Sequence, residues 1–236
     1  ILLHVSELHP HVIHVPHALY HRHRNFLLDE KDISASKSVV EEALHRRGLH
    51  HSVIQPRSSL EHNQLFFSIQ YNISAEHTPK VTILIPTKDR IDLLKPCLES
   101  IRSTTQYPNY EVVVIDNNSE DPHTAAYLSE IPETVLRIDT PTFNFAHINN
   151  EAAKRTSGEL LLLLNNDTEP VHPSWLTTMV GTLLLDKDIG VVGSKLLYPK
   201  GQEGYRVQSV GMVVGRHWAS LVQFRTEEEL GYGFYN

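Results

Sequence analysis

Asn165, Asn166 and Asp167 follow directly on five consecutive leucines, residues 160–164. An apolar run of that length, ended abruptly by polar residues, reads as a central strand of a parallel sheet covered on both faces. The carboxyl ends of such strands are where open α/β sheets receive their ligands. One hard carboxylate with amide neighbours, and no Cys or His beside it, suits Mg2+ or Mn2+ carried on a diphosphate better than a structural metal. Asp167 is therefore the candidate metal ligand. The same residues, followed by Thr168, Glu169 and Pro170, also suit a plain turn into a helix starting near Pro173 and Ser174. The upstream sequence decides between these readings.

Residues 81–85 (VTILI) form a second run of strand character. Pro86 lacks the N–H a ladder needs, so the strand is expected to end there. Thr87, Lys88, Asp89 and Arg90 come next, before a helical spacing of Ile91, Leu94, Leu98 and Ile101. Residues 111–115 (EVVVI) stop in the same way at Asp116, ahead of a helical stretch through Tyr127 and Leu128. Strands alternating with helices predict a parallel sheet with right-handed crossovers. The strand ends bearing residues 87–90, Asp116 and Asp167 then line one edge of it. Individually, Asp116 also suits a cap on the next helix, and Lys88 and Arg90 suit solvated loop positions. Neither a P-loop nor a dinucleotide-binding glycine fingerprint is present, which argues against a P-loop NTPase and a dinucleotide-dependent dehydrogenase. The charge of a bound diphosphate would instead be offset by a divalent ion on Asp167, with cationic side chains as helpers.

Residues 81–90 (VTILIPTKDR), 114–119 (VIDNNS), 149–159 (NNEAAKRTSGE) and 160–169 (LLLLLNNDTE) together resemble the successive motifs of family 2 glycosyltransferases of the GT-A fold. Their order and spacing carry the resemblance more than any one of them. The fold it implies is α/β, a Rossmann-like, mostly parallel sheet flanked by helices. It implies that Asp116 contacts the nucleobase or ribose of a nucleoside-diphosphate sugar, in a pocket with Pro86, Thr87 and Arg90. Asn166 and Asp167 stand where the family has its metal motif, with Asp167 the carboxylate and Asn165 in place of the first acid. Many relatives begin the helix before the motif strand with Arg-Asn-x-Gly; here Asn149 replaces that arginine, and Lys154 or Arg155 need not substitute for it. Residues 143–150 (FNFAHINN) are similar to the subset acting in bacterial surface-polysaccharide assembly. The implied activity is sugar transfer with inversion to a glycan or lipid-linked acceptor. Inversion needs a carboxylate base, which relatives place beyond the stretch resembling Gly231, Tyr232 and Gly233, so the base is expected beyond Asn236. Glu227, Glu228 and Glu229 read as a solvated charge run. The alternative is a non-catalytic scaffold that binds glycan or a partner domain, as the Asn165 substitution would allow.

With 236 residues, 40% of them hydrophobic, the chain is long enough for one sizeable core plus a smaller piece. It begins at Ile1, which reads as an excised segment of something longer. Two parts are expected: residues 1–78, an N-terminal helical and extended segment, and residues 79–236, the nucleotide-sugar-binding domain. The first 62 residues hold eleven of the sixteen histidines. His17 and His21 have helical spacing but no accompanying ligand set, so they read as incidental. Residues 12–21 resemble the end of an upstream glycosyltransferase domain, which implies a tandem enzyme with this segment bridging two domains; the alternative is a self-contained N-terminal domain. A helix is expected over 34–48 with Val39, Val40, Ala43 and Leu44 on its apolar side, and a strand over 66–73. Beyond the metal motif, a helix is expected over 174–185 and strands over 189–193, 207–214 and 218–224. Residues 1–80 balance eight Lys/Arg against eight Asp/Glu, so the net charge of −7 falls on residues 81–236 and speaks against nucleic acid as a partner. No apolar run approaches the roughly 20 residues of a membrane span. One cysteine, Cys97, suits a reducing compartment. Cytoplasmic placement at the inner face of a membrane, with at most peripheral association, follows from the resemblance.

Overall fold

The computed structural model describes residues 30–49, 53–59, 64–73, 78–201, 205–209, 212–213 and 219–220. It divides into two compact units, Ile73–Thr177 and the combination of Ile1–Asn72 with Thr178–Asn236.

The Ile73–Thr177 unit is built on a four-stranded sheet. Three crossovers by helices connect β3 (Val81–Thr87), α2 (Ile91–Thr104), β4 (Tyr110–Asp116), α3 (Pro122–Glu130), β5 (Thr134–Arg137), α4 (Phe145–Ala153) and β6 (Leu160–Leu163). Every pairing is parallel and the spatial order is β5-β4-β3-β6. This is the α/β class expected from the alternating pattern.

The β-branched content of β3 and β4 explains why these two lie at the centre, since both of their faces must be filled. Leu84, Val113, Ile115, Ile138, Ile148 and Ala152 form one buried cluster, in which α4 covers one face. Alternation puts Ile83, Ile85 and Val114 on the other face, all buried. The inward stripe of α2, namely Leu94, Cys97, Leu98 and Ile101, is fully buried as well. Gly158 is required just before β6, because a Cβ there would lie 2.7 Å from the backbone nitrogen of Thr82.

Two expectations for this unit are corrected. The leucine run is not a central strand: β6 is the edge of the sheet, and Leu161 and Leu163 are 50% and 53% exposed. Apolar composition alone does not distinguish a doubly covered strand from an edge strand with one face buried. Pro86 does not end β3, which runs on to Thr87. Leu84 directs its carbonyl to β6, where it accepts the N–H of Leu164, and Thr87 directs its carbonyl to the β4 side, where it accepts the N–H of Asn117. Pro86 therefore turns its nitrogen towards β6, beyond the last rung of that pairing, where no donor is needed.

The other unit is described in pieces. Helix α1 (Glu30–Arg46) starts earlier than expected; it buries Ala43 and Leu44 but leaves Val39 exposed. Strand β1 (Val53–Ser59), unforeseen because Pro56 interrupts it, pairs antiparallel with β2 (Gln64–Gln70), which takes up most of the strand expected over 66–73. Helix α5 (Trp175–Leu184) matches its expectation to within a residue at each end, and its Gly181 lies against the ring of Tyr71. No strand forms over 189–193; Val191 is 88% exposed, and the first pairing is β7 (Leu196–Leu197) with β8 (Val207–Ser209). Of the stretch expected as a strand over 207–214, the described residues lie in β8 and β9 (Met212–Val213), the latter pairing with β10 (Ala219–Ser220). Residues 12–21, with His17 and His21, the acidic run from Glu227, and Gly231 to Gly233 lie outside the described residues.

Candidate functional site

The carboxyl edge of the sheet carries a row of polar side chains at one level. The parallel register pairs Thr87 with Asp116 and Asp116 with Arg137. Register partners on adjacent strands share a face, so the three side chains stand side by side. Asn166, just past β6, extends the row: its Nδ2 donates to Thr87 Oγ1 at 3.1 Å.

Asp116 is buried, 5% exposed. Its Oδ1 accepts the N–H of Ser119 at 3.0 Å, and its Oδ2 lies 3.4 Å from Nη1 of Arg137. It does not cap the next helix. That role belongs to Asp121, whose carboxylate accepts both the N–H and the hydroxyl of Thr124 at 2.8 Å.

The loops after β3 and β4 are tied together by Asp89. Its Oδ1 accepts the N–H groups of Glu120 and Asp121, each at 2.8 Å, while its own N–H donates to the Ser119 hydroxyl at 2.8 Å. Asp89 and Arg90 both have a φ of 53°, a left-handed conformation that Asp tolerates better than most residues. Asn117 anchors the far side, its Nδ2 donating to Ile138 O and Thr140 Oγ1.

Pro86 is half-buried and Thr87 buried at this edge. Arg90 is exposed and forms a fork with Asp92, Nε to Oδ1 at 2.9 Å and Nη2 to Oδ2 at 2.7 Å. That pairing holds the Asp92 carboxyl below its usual range. Lys88 is exposed, with Nζ 4.0 Å from Glu120.

Asp167 lies exposed in a turn that the Thr168 hydroxyl closes onto Asn165 O at 2.7 Å. The thiol of Cys97, fully buried in α2, donates to the same carbonyl at 3.8 Å. Burial pushes that thiol up to about 11. Among the described residues no three His, Cys, Asp or Glu are grouped to share a metal. A lone exposed carboxylate fits an ion that keeps several waters and arrives with a diphosphate, and does not fit a closed structural site.

Asn149 is buried in α4 and donates Nδ2 to Phe145 O at 2.8 Å, bracing the first turn of the helix. Lys154 pairs with Glu151 at 2.6 Å. Lys154 and Arg155 line a cavity of about 380 Å3 together with Glu111 and Thr134, residues at the starts of β4 and β5. Neither cation therefore stands in for the missing arginine at the carboxyl edge.

The model of the family described as glycosyl transferase family 2 matches residues 82–233, more than half of the chain. The chain belongs to that family. It is 37% identical to the O-antigen biosynthesis protein RfbC of Myxococcus xanthus over 225 residues, 91% of this chain and 16% of that protein. It is 38% identical over 144 residues, 59% of this chain and 15% of the other, to the uncharacterized protein y4gI of Sinorhizobium fredii. The family 2 chain thus spans about a sixth of the length of these two curated relatives. Among solved structures it is similar to mannosyltransferase PcManGT from Pyrobaculum calidifontis, in complex with GDP-Man and Mn2+. That likeness has 19% identity and a TM-score of 0.39, over 64% of this chain and 41% of the other.

Of Pro86, Thr87, Arg90, Asp116, Asn166 and Asp167, the residues expected at the site, Thr87, Asp116 and Asn166 stand in the row itself. Arg137, at the end of a four-residue strand too short to declare itself in the sequence, and the bracing role of Asp89 are features that only the structure reveals. Only the register of β4 against β5 brings Arg137 beside Asp116.

Proposed function

We propose that this family 2 domain binds a nucleoside-diphosphate sugar at the carboxyl edge of its sheet, with Mg2+ or Mn2+ on Asp167. In the intact protein the sugar is transferred with inversion to a glycan or lipid-linked acceptor in polysaccharide assembly. The observation that carries this reading is the row Asn166, Thr87, Asp116 and Arg137, which aligns acceptors and donors along the edge where α/β sheets bind ligands.

Asp116, held by Ser119, presents a carboxylate to the N–H of a base or to a ribose hydroxyl. Asn166 fixes the start of the turn that carries Asp167. The divalent ion, when bound, offsets the charge of the departing diphosphate. Pro86 and Arg90 are assigned to the rim of the nucleotide pocket. The name of the Myxococcus relative supports a role in surface-polysaccharide assembly. No helix among the described residues is long and apolar enough to cross a membrane. We assign the domain to the cytoplasmic face of a membrane, docked peripherally and working beside the other domains of its chain.

The test is calorimetric titration with UDP, dTDP and GDP, each with and without Mn2+, on the wild-type chain and on Asp167→Ala. Metal-dependent binding that the substitution abolishes is expected. Binding unchanged by Mn2+ or by Asp167→Ala would remove the metal from this reading, and no binding of any nucleotide would favour a scaffold.

A further inference from the structure

The segment that runs from the end of β5 into α4 is anchored at both ends and exposed between them. Asn117 Nδ2 donates to Ile138 O at 2.8 Å and to Thr140 Oγ1 at 2.9 Å, and Asn118 Nδ2 donates to Thr140 O at 3.1 Å. Ile148 and Asn149 are buried at the other end. Every residue from Pro141 to His147 is exposed, including Phe143 at 64% and Phe145 at 41%. Two aromatic side chains held out together on a pinned segment mark a contact surface, since neither fills the core.

Asn144 separates the two rings in an extended conformation, φ −138° and ψ 99°, which sets its two neighbours on one side of the chain. Its own side chain caps α4, accepting the N–H of His147 at 2.9 Å. The rings therefore make one apolar face, with Thr142 and His147 as polar neighbours in the chain. No Asp, Glu, Lys or Arg occurs from Thr140 to Asn150, and the residues that bound this stretch, Asp139 and Glu151, are acidic. Because it leaves the carboxyl end of β5 and enters the N-terminus of α4, the segment stands at the edge that carries Thr87, Asp116 and Arg137.

The face of an aromatic ring is electron-rich and takes the weakly positive C–H hydrogens on one side of a sugar ring, whose hydroxyls then meet polar groups at the rim. A bilayer is the poorer fit. Segments that lie in a membrane interface carry Lys or Arg on their polar side, whereas this one has neither and is bounded by acids that an anionic surface repels. We infer that Phe143 and Phe145 form a stacking platform for an uncharged sugar residue of the acceptor glycan, beside the donor site. This rests on the reading of the edge as a nucleotide-sugar site and extends it to the other substrate of the transfer.

The test is saturation-transfer NMR, irradiating the aromatic protons, with the methyl glycosides of glucose, galactose, mannose, rhamnose and N-acetylglucosamine. It compares the wild-type chain with the double substitutions Phe143→Ala/Phe145→Ala and Phe143→Tyr/Phe145→Tyr. Thermal melting and titration with UDP, dTDP and GDP in Mn2+ run alongside. The wild type is expected to pass saturation to the C–H protons on one face of at least one glycoside. The alanine pair is expected to weaken that binding about tenfold or more, the order of the burial lost with one phenylalanine. The tyrosine pair is expected to keep it, and nucleotide affinity and melting are expected to stay unchanged in both, because the two side chains are exposed. Absence of saturation in every glycoside, or a signal that the alanine pair leaves intact, overturns the inference while leaving the nucleotide site in place. Partition into phosphatidylcholine vesicles that the alanine pair abolishes, without sugar saturation, also overturns it and assigns the rings to lipid. Failure of the wild type to bind any nucleotide overturns the site reading, and the acceptor role of the platform with it.

Discussion

The backbone N–H of Asp89 donates to the hydroxyl of Ser119 at 2.8 Å, joining the loop after β3 to the loop after β4. The Asp89 carboxylate answers by accepting the N–H groups of Glu120 and Asp121. Through Ser119, whose own N–H donates to Asp116, the bracket reaches the carboxylate assigned to the nucleoside. Asp89→Ala removes the one oxygen that accepts both N–H groups and puts a less tolerant residue at a φ of 53°. The expected loss is about 2–3 kcal/mol in chemical denaturation, with weaker nucleotide binding. Asp89→Asn keeps an acceptor oxygen and the left-handed tolerance, and is expected to lose less than half as much.

Thr87 is the other joint. Its hydroxyl donates to Asp89 O and accepts from Asn166 Nδ2, both at 3.1 Å. Thr87→Val keeps the shape and removes both bonds, so a cost of about 1–2 kcal/mol is expected, with a larger effect on metal-dependent nucleotide affinity than on melting. Thr87→Ser is expected to restore most of that affinity, as read by titration calorimetry. Equal affinities for the two variants would remove the hydroxyl from the account.

At the opposite end of β3, Gly158 passes too close to Thr82 for any side chain. Thr82 is itself fully buried, its hydroxyl donating to Glu111 at 2.6 Å, so it has no room to retreat. Gly158→Ala is expected to cost about 1–3 kcal/mol through forced displacement of the backbone. A shifted denaturation midpoint with an unchanged slope is the expected result.

Alkaline pH should weaken the fold through two buried groups. Burial raises the Cys97 thiol from 9.0 to about 11, and the Tyr107 phenol from 10.0 to about 12. In each case the neutral form is favoured in the folded chain. The stability they contribute is therefore fully present below pH 9 and is lost as pH rises towards 11 for the thiol and 12 for the phenol. Denaturation midpoints are expected to fall between pH 9 and 11, and Cys97→Ala is expected to flatten that part of the fall. At pH 8 a thiol reagent should leave Cys97 unmodified until denaturant is added.

The strand ends were readable because β3, β4 and β6 each stop where apolar residues give way to Thr87, Asp116 and Asn165. Periodicity reports which faces are apolar, and says nothing of neighbours. For that reason it took β6 for a central strand, although Leu161 and Leu163 are exposed at the sheet edge. It ended β3 at Pro86, because only the pairing shows that the missing N–H points where no partner is needed. Arg137 and the bracing by Asp89 depend on register and loop conformation, which local residue types do not encode.

The register has a consequence for how this domain tolerates change in length. Thr87, Asp116 and Arg137 share a face, and successive residues of a strand alternate faces. Slipping β4 by a single residue would bring Ile115 or Asn117 level with Thr87 and send Asp116 to another level and face. An inserted residue inside a strand is thus far more damaging than several inserted in the crossovers. Natural variation in length is therefore expected in the helices and their connecting turns, with the strands kept in step.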